Sequence, residues 1–236
     1  MTTKGMKATS NKDKILIYNC ILDEGVAADY NKGMKEKMRT EIEIVFIKPG
    51  EGEAILKNHT FSHLIISGST VSSLDSVFWE DELKMVIKHF LKQNGAILGI
   101  CYGHQFLASY FLGKSCLKVM EKPEFGWNPV KLQKNPLFNG INSNIFCHIH
   151  HDSVAHLSSD FSVIAENEFG IQGFQYKSSR VFGVQFHPDF DFRQTMIIFD
   201  MLWKIESEFD KYFVNRQSGS NTDKDGALIL TNFVNN

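Results

Sequence analysis

Short apolar runs rich in β-branched residues alternate along the chain with longer stretches in which apolar positions recur every three or four residues. The first kind reads as strand and the second as amphipathic helix. Lys14 to Cys20 (KILIYNC), Glu41 to Ile47, His63 to Ser67 and Ala96 to Cys101 are nearly continuous in hydrophobics, as strands covered on both faces are. Between them, Val26 to Arg39 and Glu80 to Gln93 carry helical spacing. In the latter, Leu83, Val86, Ile87, Phe90 and Leu91 form one stripe that stops at Asn94-Gly95. Strand alternating with helix predicts an α/β fold built on a doubly wound, mostly parallel central sheet.

After Gly113 the texture changes. Cys116 to Met120, Trp127 to Leu132, Ile145 to His148, Ser162 to Glu166, Ile171 to Tyr176 and Val181 to Phe186 are shorter and bounded by turn residues, which predicts antiparallel additions to the sheet. A last helix is expected from about Arg193 to Phe209. Gln217 to Gly226 is polar and reads as a mobile connector to ALILTNFV, an apolar run expected to pack back as a terminal strand or to meet a partner. The organisation expected is a frayed N-terminus over 1–12, one domain over 13–213 and a C-terminal tail over 214–236. No internal repeat at periods of about 20 to 50 residues is present.

Composition narrows the classes. A chain of 236 residues, 43% hydrophobic and 22% charged, can bury a core, which excludes disordered and collagen-like sequences. With 25 Lys+Arg against 27 Asp+Glu the formal charge is −2, so no global field favours a polyanion, and neither nucleic acid nor a membrane is expected as a partner. Cys20, Cys101, Cys116 and Cys147 are too sparse for a disulfide scaffold and read as reduced thiols. The start, MTTKGMKATSNKDK, has no apolar core of a secretion signal, and no run reaches the roughly 18 apolar residues of a membrane span. A soluble, cytoplasmic protein is the expectation.

Ala96 to Phe111 (AILGICYGHQFLASYF) carries the chemistry. A buried strand runs straight into Gly99-Ile100-Cys101-Tyr102-Gly103, and an amphipathic helix follows. This is a nucleophile elbow with Cys in place of Ser. Gly99 and Gly103 flank a tight, strained turn at which side chains would collide with neighbouring backbone. The thiol would stand at a helix N-terminus, where unpaired N–H groups favour negative charge, so Cys101 is expected to be reactive. The other three cysteines lack this setting and read as small packed hydrophobes.

A nucleophilic thiol needs a base within hydrogen-bond reach and a group that orients the base. In VFGVQFHPDF, Val181 to Phe190, a buried strand ends at His187, and Asp189 follows across Pro188. The proline biases His187 toward extended backbone, so its ring can project from the strand end toward the elbow. Asp189 can then accept from the distal ring nitrogen. Cys101, His187 and Asp189 form a candidate catalytic triad.

With these two motifs in this order, the sequence resembles the class I, triad-type glutamine amidotransferases from about Lys14 to Phe209. GICYGHQ is similar to their nucleophile motif and GVQFHPDF to their His-Pro-Glu motif. ISGSTVSSLD (Ile66 to Asp75), EFGWNPV (Glu124 to Val130) and HHDSV (His150 to Val154) look most like the free-standing members, the GMP-synthase-like amidotransferases and the γ-glutamyl peptidases. The resemblance implies a flavodoxin-like sheet and thiolate attack on the γ-carbonyl of glutamine or a γ-glutamyl compound, followed by hydrolysis of a γ-glutamyl thioester. It also implies an oxyanion hole, to which the N–H of Tyr102 and the Gly68-Ser69 turn would contribute. Gln105 would help hold the substrate, His104 would buttress the elbow, and Gly126, Trp127, His150, His151 and Asp152 would form the wall that receives the α-amino and α-carboxylate groups. Two positions depart from the family pattern: Asp189 stands where Glu is usual, and Gly68-Ser69-Thr70 replaces a Gly-Gly-Pro.

Other chemistries fit less well. The run CHIHHDSVAH, Cys147 to His156, is dense in metal-ligand types but has no second cluster, and adjacent His150 and His151 on an extended segment would point to opposite faces. No metal and no cofactor are expected. A Cys-dependent α/β-hydrolase places its acid many residues before its His, the reverse of the order here. No G-x-x-x-x-G-K-[ST] loop is present to activate an ammonia acceptor with ATP. Three readings remain open: a stand-alone γ-glutamyl peptidase, a glutaminase that passes ammonia to a separate synthase subunit, and an inert binding module of the same fold.

Overall fold

A computed structural model describes residues 14–38, 40–205, 209–215 and 222–236. The expectation for residues 1–12 lies outside the described residues, as does the stretch 217–221 of the polar connector. The first half of the chain alternates as the pattern predicts: β1 (Lys14–Tyr18), α1 (Glu24–Met38), β2 (Glu43–Ile47), α2 (Gly52–Asn58), β3 (His63–Ile66), α3 (Glu80–Lys92), β4 (Ala96–Ile100) and α4 (Tyr102–Leu112). The second half is β5 (Leu117–Pro129), β6 (Lys131–Leu132), β7 (Ile145–Val154), β8 (Phe161–Asn167), β9 (Gly170–Tyr176), β10 (Val181–Val184), α5 (Phe192–Ile205), β11 (Phe213–Asn215) and α6 (Thr222–Asn235).

Eight strands form one sheet in the order β2-β1-β3-β4-β10-β9-β8-β6. The first five run parallel, and β9, β8 and β6 add antiparallel strands at one side. Successive side chains on the parallel strands alternate between two buried layers, which is why these strands read as continuous hydrophobic runs. Leu16, Tyr18, Leu64, Ile66 and Ile97 face a layer closed by Leu83, Val86, Ile87 and Phe90 of α3 and by Phe106 and Leu107 of α4. Ile15, Ile17, Ile65, Leu98 and Ile100 face the other layer, closed by Tyr30, Met34 and Met38 of α1 and by Ile229, Leu230 and Phe233 of α6. The α/β, doubly wound architecture follows.

Four details differ from the sequence expectation. The segments Cys116 to Met120 and Trp127 to Leu132 are joined in one long strand, β5, whose register against β7 shifts between Val119 and Glu124. Together with β11 these strands make a separate three-stranded sheet rather than extending the main one. β10, grouped with the antiparallel additions by its length, is instead the fifth parallel strand, paired with β4. The polar GEAILKN, which gives little helical signal, forms the short α2, and the terminal apolar run is a helix, not a strand. In α6, Gly226 looks like a helix breaker but serves close packing: a Cβ there would lie 2.5 Å from the Pro188 carbonyl oxygen.

The order β3-β4-β10 brings three strand ends side by side. Gly68, Cys101 and His187 follow those ends, at the C-terminal edge where open α/β sheets bind ligands.

Phe233 is wholly buried and meets the His63 ring edge-on at 5.4 Å between centroids. Phe233→Ala should therefore destabilise the protein by about 3–5 kcal/mol. Urea unfolding measures this; a loss under about 1 kcal/mol would mean that the final helix does not close the core.

Candidate active site

Cys101 caps α4 with φ 52° and ψ −103°, a region that non-glycine residues enter only under constraint. Its neighbours have no room for side chains. A Cβ on Gly99 would stand 2.3 Å from the Gly103 carbonyl oxygen, and one on Gly103 would stand 2.4 Å from that of Ile66. The elbow is thus wedged between its own helix and β3. The thiol is 5% exposed and donates to the Ile149 carbonyl at 3.7 Å.

His187 is fixed from three sides. Its N–H donates to the Cys147 carbonyl at 2.8 Å, Phe190 stacks on its ring at 4.3 Å and 7°, and its Nδ1 meets Asp189 Oδ1 at 3.0 Å. A Cβ on Gly68 would lie 3.0 Å from His187 Cε1 and 3.6 Å from Cys101 Cβ, so glycine is what lets the three strand ends close on one another. Burial disfavours the imidazolium, but the Asp189 carboxylate and the Cys101 sulfur outweigh it and push His187 up to about 10. His104, one helical turn into α4, has the opposite setting. It is wholly buried against Phe174, and desolvation pushes it down to about 3, leaving it neutral.

Cys101 opens on a cleft of about 350 Å³ whose walls include Ser69, Tyr102, Gln105, His150, His151 and Asp152. Gln105 is bound at every polar atom: its Nε2 donates to the Asp152 carbonyl at 2.7 Å and to Gln185 Oε1 at 3.1 Å, and its Oε1 accepts from Ser73 at 2.8 Å. Ser72 donates to the Asp152 carboxylate at 2.5 Å. Ser69 ties the turn after β3 to the end of β1 through the Cys20 carbonyl at 2.9 Å.

Beneath this wall lies a buried carboxylate. Glu124 Oε1 accepts from Asn128 at 3.0 Å and Asn167 at 2.6 Å; its Oε2 accepts from Gln172 at 2.8 Å and His150 at 2.9 Å. Burial alone would raise Glu124, yet His148 and His150 beside it hold its carboxyl well below the usual range. Among the described residues, Glu124, His148 and His150 place potential metal-ligand atoms within 4.8 Å of one another. The Glu124 oxygens are already occupied by protein donors, so this is first a structural hub.

Of the residues singled out from the sequence, Cys101, His187, Asp189, Gly68, Ser69, Tyr102, Gln105, His150, His151 and Asp152 come together around the cysteine. Gly126 and Trp127 do not line the cleft. Trp127 is buried against Phe192 and Phe199 of α5, while Phe125, on the same strand, lines the cleft in its place. Ser72, Ser73, Gln185 and Glu124 join the site without any mark of their own in the sequence. The serines lie in the quoted ISGSTVSSLD, but a hydroxyl facing Gln105 leaves no periodic signal. Among the described residues no helix is long and apolar enough to cross a membrane.

The family model for class-I glutamine amidotransferases matches residues 30–205. Among curated relatives, the amidotransferase component of a glutamine-hydrolysing GMP synthase from Thermoplasma acidophilum is 34% identical over 134 residues, covering 56% of this chain and 64% of that one. A glutamine-hydrolysing GMP synthase from Caldicellulosiruptor saccharolyticus is 35% identical over 117 residues, 48% of this chain but only 22% of its own length. The chain therefore spans less than two thirds of these relatives. Among solved structures, a glutamine amidotransferase from Thermotoga maritima superposes with a TM-score of 0.68 at 18% identity, covering 94% of this chain and 96% of that one. Another, from Methylobacillus flagellatus, gives 0.69 at 17% identity, covering 96% and 95%. At these identities the superpositions speak for the fold alone.

The raised His187 links pH to stability. Its contribution is complete below the ordinary imidazole value of 6.5 and is lost as pH rises through about 10. Asp189→Asn removes the chief source of the rise. The advantage of wild type over this variant in urea unfolding should be largest near neutral pH and shrink as pH passes about 10. An advantage that grows with pH would contradict the charge assignment.

Proposed function

The chain belongs to the class-I glutamine amidotransferase family, and on that premise we propose that it hydrolyses the γ-amide of glutamine or a γ-glutamyl compound, with Cys101 as nucleophile, His187 as general base and acid, and Asp189 as the group that orients His187. The observation that carries this reading is the meeting of Cys101 and His187 across Gly68 on the wall of an open cavity, with Asp189 on the far ring nitrogen.

The steps follow from where the groups stand. His187 takes the thiol proton, and the sulfur attacks the γ-carbonyl carbon. Negative charge develops on the carbonyl oxygen, where the N–H of Tyr102 and the Gly68-Ser69 turn would supply donors that need no rearrangement during the reaction. The imidazolium then gives its proton to the departing nitrogen as the C–N bond breaks, leaving a γ-glutamyl thioester. Water, deprotonated by His187, cleaves the thioester and restores the thiol. Desolvated, neutral His104 takes no part in proton transfer and supports the elbow. The polar wall of Gln105, His150, His151 and Asp152 suits the charged α-amino and α-carboxylate groups of the substrate.

Glutamate release from glutamine and from γ-glutamyl amides tests this directly. Cys101→Ala and His187→Ala should each lower kcat by about a thousandfold or more. Asp189→Asn should lower it by about ten- to a hundredfold, because it disturbs orientation rather than removing the nucleophile. Turnover unchanged in Cys101→Ala would sink the mechanism.

A further inference from the structure

Cys101 stands where two cavities of opposite character meet. The larger, of about 350 Å³, carries the polar wall and does not touch His187. The smaller, of about 90 Å³, is lined by Cys101, His187 and the Gly68 turn, and otherwise by apolar side chains: Ile21, Val26, Phe190, Ile198 and Met201. A further cavity of about 90 Å³ shares most of this apolar lining and adds Ile197. Ile197 and Met201 are among the exposed large hydrophobics of the protein, so apolar surface is left in water at the mouth of this compartment.

Proton bookkeeping fixes which part of a substrate lies on which side. The departing nitrogen receives its proton from His187 and must therefore sit beside that ring, while the glutamyl part extends from the reacting carbon toward the polar wall. The compartment beside His187 is apolar. Ammonia has nothing to place there, whereas an amine with a hydrocarbon body would cover the exposed side chains and release water from them.

We propose that the preferred leaving group is an amine with an apolar body, so that γ-glutamyl amides of apolar amines are bound and cleaved in preference to glutamine. This rests on the reading of Cys101 as nucleophile and His187 as acid. The reaction is otherwise balanced as above: the amide and one water give the γ-carboxylic acid and the free amine.

Binding and turnover separate the leaving-group preference from the nucleophile assignment. Cys101→Ala protein, which should hold substrate without consuming it, is titrated calorimetrically with glutamine, γ-glutamyl isobutylamide and γ-glutamyl ethanolamide, the last a polar control of similar size. The isobutylamide should bind about tenfold or more tightly than either of the others. In the wild type, kcat/KM should follow the same order. Val26→Asp, in the inner compartment, should reduce the preference for isobutylamide over ethanolamide to about twofold or less. Ile197→Asp, at an exposed position that tolerates the change, should reduce it in the same direction if Val26→Asp does not fold. Equal or tighter binding of glutamine would overturn the proposal and return the site to ammonia release. A preference for isobutylamide that persists in both aspartate variants would also overturn it. Turnover retained in Cys101→Ala would refute the nucleophile assignment instead, while the binding order would still report whether the compartment selects apolar amines.

Discussion

A cysteine at φ 52° is held in a backbone state that costs about 1–3 kcal/mol, and it persists only because the surroundings leave it no alternative. Here the constraint comes from both directions along the chain. The Cys101 N–H is tied to Val184 of β10 at 2.9 Å, and its carbonyl accepts from Gln105 of α4 at 3.1 Å. Gly99 and Gly103 allow β4, α4 and β3 to approach until no Cβ would fit between them. The result is a sulfur whose position is set by the sheet rather than by a loop. Because β3 and β10 flank β4 on either side, the residues that follow those strands, Gly68 and His187, arrive beside it without further adjustment.

The polar wall depends on the second sheet in a comparable way. β5 and β7 would be an isolated ribbon if nothing joined them to the main sheet. Glu124 of β5 makes that connection by accepting from Gln172 of β9 and Asn167 of β8 while it binds His150 of β7. His150 Nδ1 meets the Asp152 carbonyl at 3.0 Å, and Gln105 of α4 binds the same oxygen at 2.7 Å. A buried carboxylate left unpaired would be strongly destabilising, and here four polar side chains satisfy it. The cleft wall is therefore tied through one carboxylate to the helix that begins at the cysteine.

What is legible in the sequence, and what is hidden, follows from which interactions are local. The four leading strands are buried on both faces, so composition alone marks them. The elbow is visible because steric crowding demands glycine two residues to each side of Cys101. The Cys101, His187 and Asp189 set is readable since each member lies in a short motif. By contrast, β10 is as short as the antiparallel strands, and only its partner β4 decides its direction. Trp127 sits beside motif residues, but strand alternation sends its ring to the α5 side, a choice set by the β5–β7 register rather than by local sequence. The hub at Glu124 draws on Asn128, Asn167, Gln172 and His150, whose common purpose appears only once the two sheets are assembled.

The carboxylate at Asp189 is one methylene shorter than the Glu the resemblance leads one to expect, and still it reaches His187 at 3.0 Å. A shorter side chain must be compensated by the backbone that carries it. Two elements press on that backbone. Lys37 of α1 donates to the Pro188 carbonyl at 3.2 Å, and α6 brings Gly226 so close that a Cβ there would stand 2.5 Å from the same oxygen. The His-Pro-Asp segment is thus gripped between a helix from the start of the domain and one from its end. Lengthening the acid to Glu without loosening that grip would overfill a site where Asp189 is 1% exposed. The apolar tail, whose purpose no local pattern reveals, thereby supports the acid, and the shorter residue and the added helix are two parts of one solution.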